Sequence, residues 1–119
     1  MVMLHQTRLY KILTETDWRL AQEQGFTQTA LDDADGYVHL STRTQVAETL
    51  RLHYSGVART QLLEFVKETM TGRLVWEESR GGEKFPHLYS KLFVRDIQRH
   101  WTLICDADGT PQLPADIDA

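Results

Sequence analysis

Cysteine is almost missing from this sequence: Cys105 stands alone among 119 residues. One thiol forms neither a disulfide within a chain nor a thiolate metal cluster, and without diagnostic neighbours it reads as a buried, inert group. No apolar run approaches the roughly 20 residues of a membrane-spanning helix. The N-terminal MVMLHQTRLYK lacks the apolar stretch and small-residue cleavage site of a signal peptide, so the cytoplasm is the expected location. Leu4 and His5 in that stretch carry no signal. Blocks of lysine or arginine are absent as well, and the formal net charge is -4. A long nucleic-acid backbone needs a concentrated positive surface, so no such partner is expected; a local basic pocket remains open. The five histidines show no close pair at metal-ligand spacing, and no metal site is expected. Two DADG segments are not calcium loops. Their first ligand would fall on Leu31 or Ile104 and their closing glutamate on Thr42 or Ala115. Internal repeats and low-complexity tracts are missing too.

What is present is an ordinary globular balance, 41% apolar and 25% charged. The length fits a single domain over residues 1–119, with a core over about 8–104. A chain of this size buries roughly two-thirds of its unfolded surface. Residues Arg8 to Leu13 read as a first strand. Thr14 and Asp17 have capping-box spacing, so a helix bearing Trp18 and Ala21 follows and Gly25 ends it. Phe26 to Gly36 reads as an acidic loop, closed by Asp35-Gly36 turn chemistry. Tyr37 to Leu40 is a short strand. Ser41 and Thr42 read as the start of a second helix, with Thr42 and Gln45 at capping-box spacing. Val46, Ala47, Leu50 and Tyr54 would face the core from it, and Gly56 ends it. Gln61 to Lys67 is a strand buried in the middle of a sheet, and Leu74 to Trp76 is another. Pro86 makes Phe85 to Tyr89 an edge strand or an extended loop segment. Val94 to Ile97 is a helical turn, His100 to Ile104 a last strand, and the tail LPADIDA is expected to fray. Both helices fall in the first half and strands outnumber them. The fold class is therefore α+β, with a mainly antiparallel sheet and two helices packed on it.

Three polar clusters carry candidate chemistry. In Gly36 to Thr42, alternation sends Val38 and Leu40 to the core and His39 and Ser41 the other way. Ser41 and Thr42 at a helix start would offer free backbone N–H groups to an anion; the plainer reading is a capped helix beside a solvated histidine. In Trp76 to Gly82, the paired glycines allow close backbone approach and Arg80 suits two-point binding of a phosphate or carboxylate. Glu77 or Glu78 can act as base or hydrogen-bond acceptor. The plainer reading here is a charged hairpin loop; the glycine spacing is not that of a P-loop. In Phe85 to Tyr89, Phe85, His87 and Tyr89 share one face of an extended segment and can line a pocket. Alternatively they form a partly buried edge.

These segments together, LYKIL, a tryptophan in the first helix, DGYVHLSTRTQVAET and LVWEESRGGEKFPHLY, resemble one group of small bacterial proteins, the domain of unknown function family 952. The resemblance runs from about Leu9 to Leu103. It places His39, Ser41, Thr42, Trp76, Glu77, Arg80, Phe85, His87 and Tyr89 on motif positions of that family and so implies a shared site. More distantly, LYKI followed by GYVHLS and a helix is similar to the ADP-ribosyltransferase-like fold. That resemblance implies NAD as ligand. There a first-strand His or Arg holds the nicotinamide ribose, an aromatic stacks on the nicotinamide, and a late-strand glutamate steers the reacting ribose. Laid on this chain, those positions fall on Lys11, near His39, and on Glu77. Lys11 and His39 depart from the usual pattern.

Two functions follow as expectations. One is an enzyme acting on NAD or another nucleotide or ribosyl substrate. In it, Arg80 and the helix start bind phosphate and Trp76, Phe85 and Tyr89 offer stacking. His39 or His87 serves as acid, base or ribose-hydroxyl partner, and Glu77 stabilises charge developing on a ribose carbon. The other is a non-catalytic module that binds a small anionic ligand or a protein partner through the same pocket. A third possibility is a purely structural hydrogen-bond network, with His39, Glu77 and Arg80 buried, mutually bonded and without a cleft.

Overall fold

A computed structural model describes residues 7–119, apart from the side chain of Arg80; Leu4 and His5 lie outside the described residues. In chain order the elements are β1 (Arg8–Thr14), α1 (Glu15–Gln24), α2 (Ala30–Asp35), β2 (Val38–His39), β3 (Ser41–Thr42) and α3 (Val46–His53). There follow β4 (Arg59–Val66), β5 (Leu74–Glu78), β6 (Lys84–Leu88) and β7 (Arg99–Ile104), with short 3-10 turns at Lys67–Thr69, Arg80–Gly82 and Val94–Asp96. Among the described residues the strands form two antiparallel sheets, ordered β3-β1-β4-β7 and β2-β6-β5. The class is α+β.

The four-stranded sheet is covered on both faces, which explains why β4 is buried without alternation from Thr60 to Val66. One face packs Leu9, Leu13, Leu63 and Phe65 against Trp18 and Ala21 of α1 and against Val38 and Leu88 of the smaller sheet. The other packs Tyr10, Ile12, Leu62 and Leu103 against Val46 and Leu50 of α3. Ile117 joins that second cluster at 3% exposure. The tail, expected to fray, is drawn back against the sheet. Arg99 donates to the carbonyls of Asp116 at 2.9 Å and Ile117 at 2.7 Å, and Arg43 makes a two-point pair with Asp118.

Local chemistry sets the first helix as the spacing predicts. Thr14 accepts the Asp17 N–H at 3.1 Å, and Gly25 closes the helix in the left-handed region at φ 91°. Four other expectations change. The acidic stretch between Phe26 and Gly36 is not all loop: Thr29 accepts the Asp32 N–H at 3.1 Å and caps α2. Acidic residues at Asp32 and Asp33 suit the positive end of that helix. Ser41 and Thr42 are not a helix start but the strand β3, paired with Tyr10 and Leu9. The turn after them delays α3 to Val46, and only half of the expected box forms, with Gln45 Oε1 accepting the Thr42 N–H at 2.9 Å. Ala47 consequently faces outward while Val46 and Leu50 are buried. Finally, β6 is the central strand of its sheet, not an edge. Pro86 is tolerated because β2 has only two residues: Leu40 N–H donates to the Pro86 carbonyl at 3.1 Å, and the ladder stops where the proline has no N–H to return.

Leu40 is the switch point of the architecture. His39 before it pairs with β6 of one sheet, and Ser41 after it pairs with β1 of the other. The sheets therefore separate just beyond Tyr10, and β1 runs on from Lys11 to Thr14 with one edge uncovered by a strand.

Candidate functional site

A cavity of about 530 Å³ opens at that split. Its walls are the uncovered edge of β1, the first turn of α2, the end of α3 with Thr49, His53 and Tyr54, and the small-sheet residues His39, Phe85 and His87. Just before β1, Lys67 N–H donates to the Thr7 carbonyl at 2.8 Å, so Leu9, Lys11 and Leu13 bond toward β4 by the antiparallel alternation. The peptide groups of Tyr10 and Ile12 then point to the opposite edge. Ser41 covers Tyr10. The Ile12 carbonyl takes the Tyr54 hydroxyl at 3.3 Å. Burial pushes the Tyr54 hydroxyl up to about 12, so it stays a donor at neutral pH.

The cavity floor is a buried charge cluster. Lys11 Nζ lies 2.8 Å from Asp32 Oδ2 and donates to the His39 carbonyl at 3.0 Å. Asp32 Oδ1 accepts the His39 backbone N–H at 3.2 Å and lies 2.7 Å from His39 Nδ1. The other ring nitrogen, Nε2, lies 2.9 Å from Asp35 Oδ2. Burial disfavours the charge on Asp32, but the hydrogen bonds from His39 and the Lys11 ammonium outweigh it and hold the carboxyl below its usual range. Burial pulls Lys11 down against the opposing pull of Asp32.

Beside this cluster stands a second imidazole. His87 is 3% exposed, and its Nδ1 lies 2.8 Å from Glu77 Oε1. Tyr89 donates its hydroxyl to the same carboxylate oxygen at 2.7 Å. Those two contacts, first Tyr89 and then His87, hold Glu77 below the usual carboxylate range. Tyr37 stacks on His87 with ring centroids 4.0 Å apart and tilts over His39 at 4.6 Å. The two imidazoles meet edge to face at 5.5 Å.

Of the residues singled out in the sequence, Lys11, His39, Ser41, Phe85 and His87 line the cavity. Glu77 and Tyr89 stand behind His87 and touch the cavity through it. Trp76 pairs with Pro86 in the ladder, so alternation turns it to the face away from Phe85 and His87. Thr42 likewise alternates away from Ser41 and bonds Thr44. The anion site expected at Ser41 and Thr42 is gone with the helix start. Ser41 instead bonds Thr49 across the cavity wall at 3.2 Å. Arg80 has its side chain outside the described residues. With a cleft present and Glu77 about two-fifths exposed, the sealed hydrogen-bond network does not describe this molecule.

Sequence reasoning missed Asp32, Tyr37, Tyr54 and the bare edge at Ile12. The Thr29–Asp32 cap spacing was the available signal for the first. For Tyr37 it was position, two residues before His39 on the same strand face. Tyr54 appeared only as a core position, and nothing local marks the edge at Ile12.

Fold and site together define a small α+β protein whose two sheets part around an imidazole-lined cleft. The chain belongs to the family described as Protein of unknown function (DUF952), which it matches over residues 12–100. It is similar to protein CC0527 from Caulobacter crescentus in its crystal structure, with 44% identity and a TM-score of 0.85, covering 90% of this chain and 95% of that one. A double mutant of CC0527 gives 45% identity and the same TM-score and coverage. The solution structure of CC0527 gives 45% identity and a TM-score of 0.78, covering 89% and 92%. No curated protein matches.

Proposed function

We propose that the cleft binds a nucleoside or ribosyl ligand of the NAD type. The observation that carries this is the position of the cavity: it opens where the edge of β1 beyond Tyr10 carries no paired strand, in the same space as Phe85, His39 and His87. A cleft with an aromatic and imidazole lining of this kind suits the face of a planar ring. Ser41, Thr49, Tyr54 and Asp17 supply hydroxyl and carboxylate partners suited to a sugar. Phosphate recognition falls to groups other than the Ser41–Thr42 segment and Lys11, because the first is a strand and the second is already bonded to Asp32.

The test is a thermal-shift panel of NAD, ADP-ribose, AMP and inorganic phosphate with wild type and Ser41→Val. A ligand that binds only the folded state adds about 2.7 kcal/mol at a hundredfold excess over its Kd. NAD and ADP-ribose are expected to raise the melting temperature, phosphate alone is not, and the variant loses the shift. No shift with any nucleoside compound at millimolar concentration sinks the proposal.

One observation favours a non-catalytic module holding the same ligand. Lys11, at the position where the ADP-ribosyltransferase-like resemblance calls for a ligand-binding His or Arg, is buried and committed to Asp32 and His39. Release of nicotinamide from bound NAD separates the two: turnover marks the enzyme, and binding without release marks the module.

A further inference from the structure

The two imidazoles of the cleft are not equivalent. His39 has both ring nitrogens against carboxylates, Nδ1 on Asp32 and Nε2 on Asp35, so neither is left for a ligand. His87 has one nitrogen engaged. Its Nδ1 faces Glu77 Oε1 at 2.8 Å, while Nε2 has no partner among the described residues. Glu77 is held from the other side, since Tyr89 donates to the same oxygen at 2.7 Å. Tyr37 stacks on the ring and restricts its tilt. His39 meets the ring edge to face at 5.5 Å.

We infer that Tyr89 and Glu77 position His87 as the general base of this cleft, with His39 as a fixed structural imidazole. The inference rests on the proposal that the cleft takes a hydroxyl-bearing ligand, but its first test needs no ligand. A carboxylate only accepts, so Nδ1 must donate to it. That places the ring proton on Nδ1 and leaves the lone pair on Nε2, on the ring position opposite Glu77 and in a side chain that lines the cavity. When a ligand hydroxyl or a water gives up its proton, the O–H bond breaks and the Nε2 lone pair forms the new N–H. The imidazolium that results keeps its Nδ1–H on Glu77, whose negative charge stabilises it without taking the proton. Tyr89 touches neither ligand nor imidazole. It is a positioning residue that keeps one Glu77 oxygen directed at His87.

The experiment is a long-range proton–nitrogen correlation spectrum of the histidine rings near pH 8. In the wild type, His87 is expected as a single tautomer, protonated at Nδ1. In Glu77→Ala the ratio of Nδ1–H to Nε2–H falls by at least about tenfold, because the charge-assisted bond that selects it is gone. Tyr89→Phe gives a smaller fall in the same direction. A wild-type His87 protonated at Nε2, or a ratio unchanged in Glu77→Ala, overturns the inference. Should Glu77→Ala not fold, Tyr89→Phe removes only a hydroxyl and carries the test alone, an unchanged ratio again counting against it. Adding NAD or ADP-ribose then checks the ligand separately. A shift of the His87 Nε2 resonance supports both proposals. A fixed Nδ1–H tautomer with no ligand response leaves the base intact and sinks the ligand assignment.

Discussion

Asp32 shows how much one side chain can be asked to do. It accepts from the His39 backbone and ring and neutralises Lys11, all at 6% exposure. Removing its charge leaves a buried ammonium unpaired, so Asp32→Asn is expected to cost about 3–5 kcal/mol in urea unfolding. Removing both charges with Lys11→Met and Asp32→Leu together should cost less than the single change, because no buried charge is then left alone. The pH dependence follows from the same site. With its folded pKa below the unfolded value of about 3.9, Asp32 contributes its full stability above that value. The contribution disappears as pH falls through the folded pKa. Urea midpoints of the wild type are therefore expected to fall below about pH 4, and Asp32→Asn to fall less steeply there. Its cap spacing with Thr29 was readable from the sequence; its partners, 21 positions back at Lys11 and seven ahead at His39, were not, because pairing across that distance is decided by how β1 lies against α2.

At the level of elements, the seam between the two sheets is tied by Gln45. Its amide accepts from the Thr42 N–H at 2.9 Å and donates to the Lys84 carbonyl at 2.8 Å and to Glu83 at 3.1 Å, joining the end of β3 to the start of β6. Gln45→Ala is expected to cost about 2–3 kcal/mol, since it strands buried groups as well as removing bonds, and to move the amide signals of residues 79–84. The other end of β6 depends on Gly72. At φ 106° it occupies a conformation that side chains avoid, and an added Cβ would lie 1.8 Å from Ser90 Oγ. Gly72→Ala should lose about 2 kcal/mol or more and disturb Tyr89 and Ser90. Capping-box spacing identified Thr42 and Gln45 as partners, correctly, but assigned them to a helix start. The same two residues serve a tight turn equally well when the preceding residues are claimed by a strand.

For the whole molecule, the tail closes the second core. Ile117 lies with Tyr10, Ile12, Leu50 and Leu103, and Arg99 joins the tail carbonyls to Glu64, itself 2% exposed and bonded by Tyr10. A frayed end would make Ile117→Ala silent. The packed end makes it cost about 2–4 kcal/mol by thermal or urea unfolding. Loss of Arg99 should cost at least as much, because Glu64 would remain buried with its charge. Among the described residues no helix is long and apolar enough to cross a membrane.

The sequence by itself determined the α+β class, most strands, the first helix with both its caps, and the side of β2 on which His39 lies. All of these depend on the period-two pattern and on chemistry within four residues. Its motifs also marked His39, Ser41, Phe85 and His87 for one site, and the cavity brings them together. Only the tertiary structure decided that Leu40 divides one continuous strand between two sheets, that Trp76 and Thr42 face away, and that Lys11 is neutralised by Asp32. The physical reason is the same in each case. A backbone preference says that a segment is extended, whereas its partner strand, and with it the face each side chain takes, is set by which distant segment supplies the missing hydrogen bonds and apolar cover.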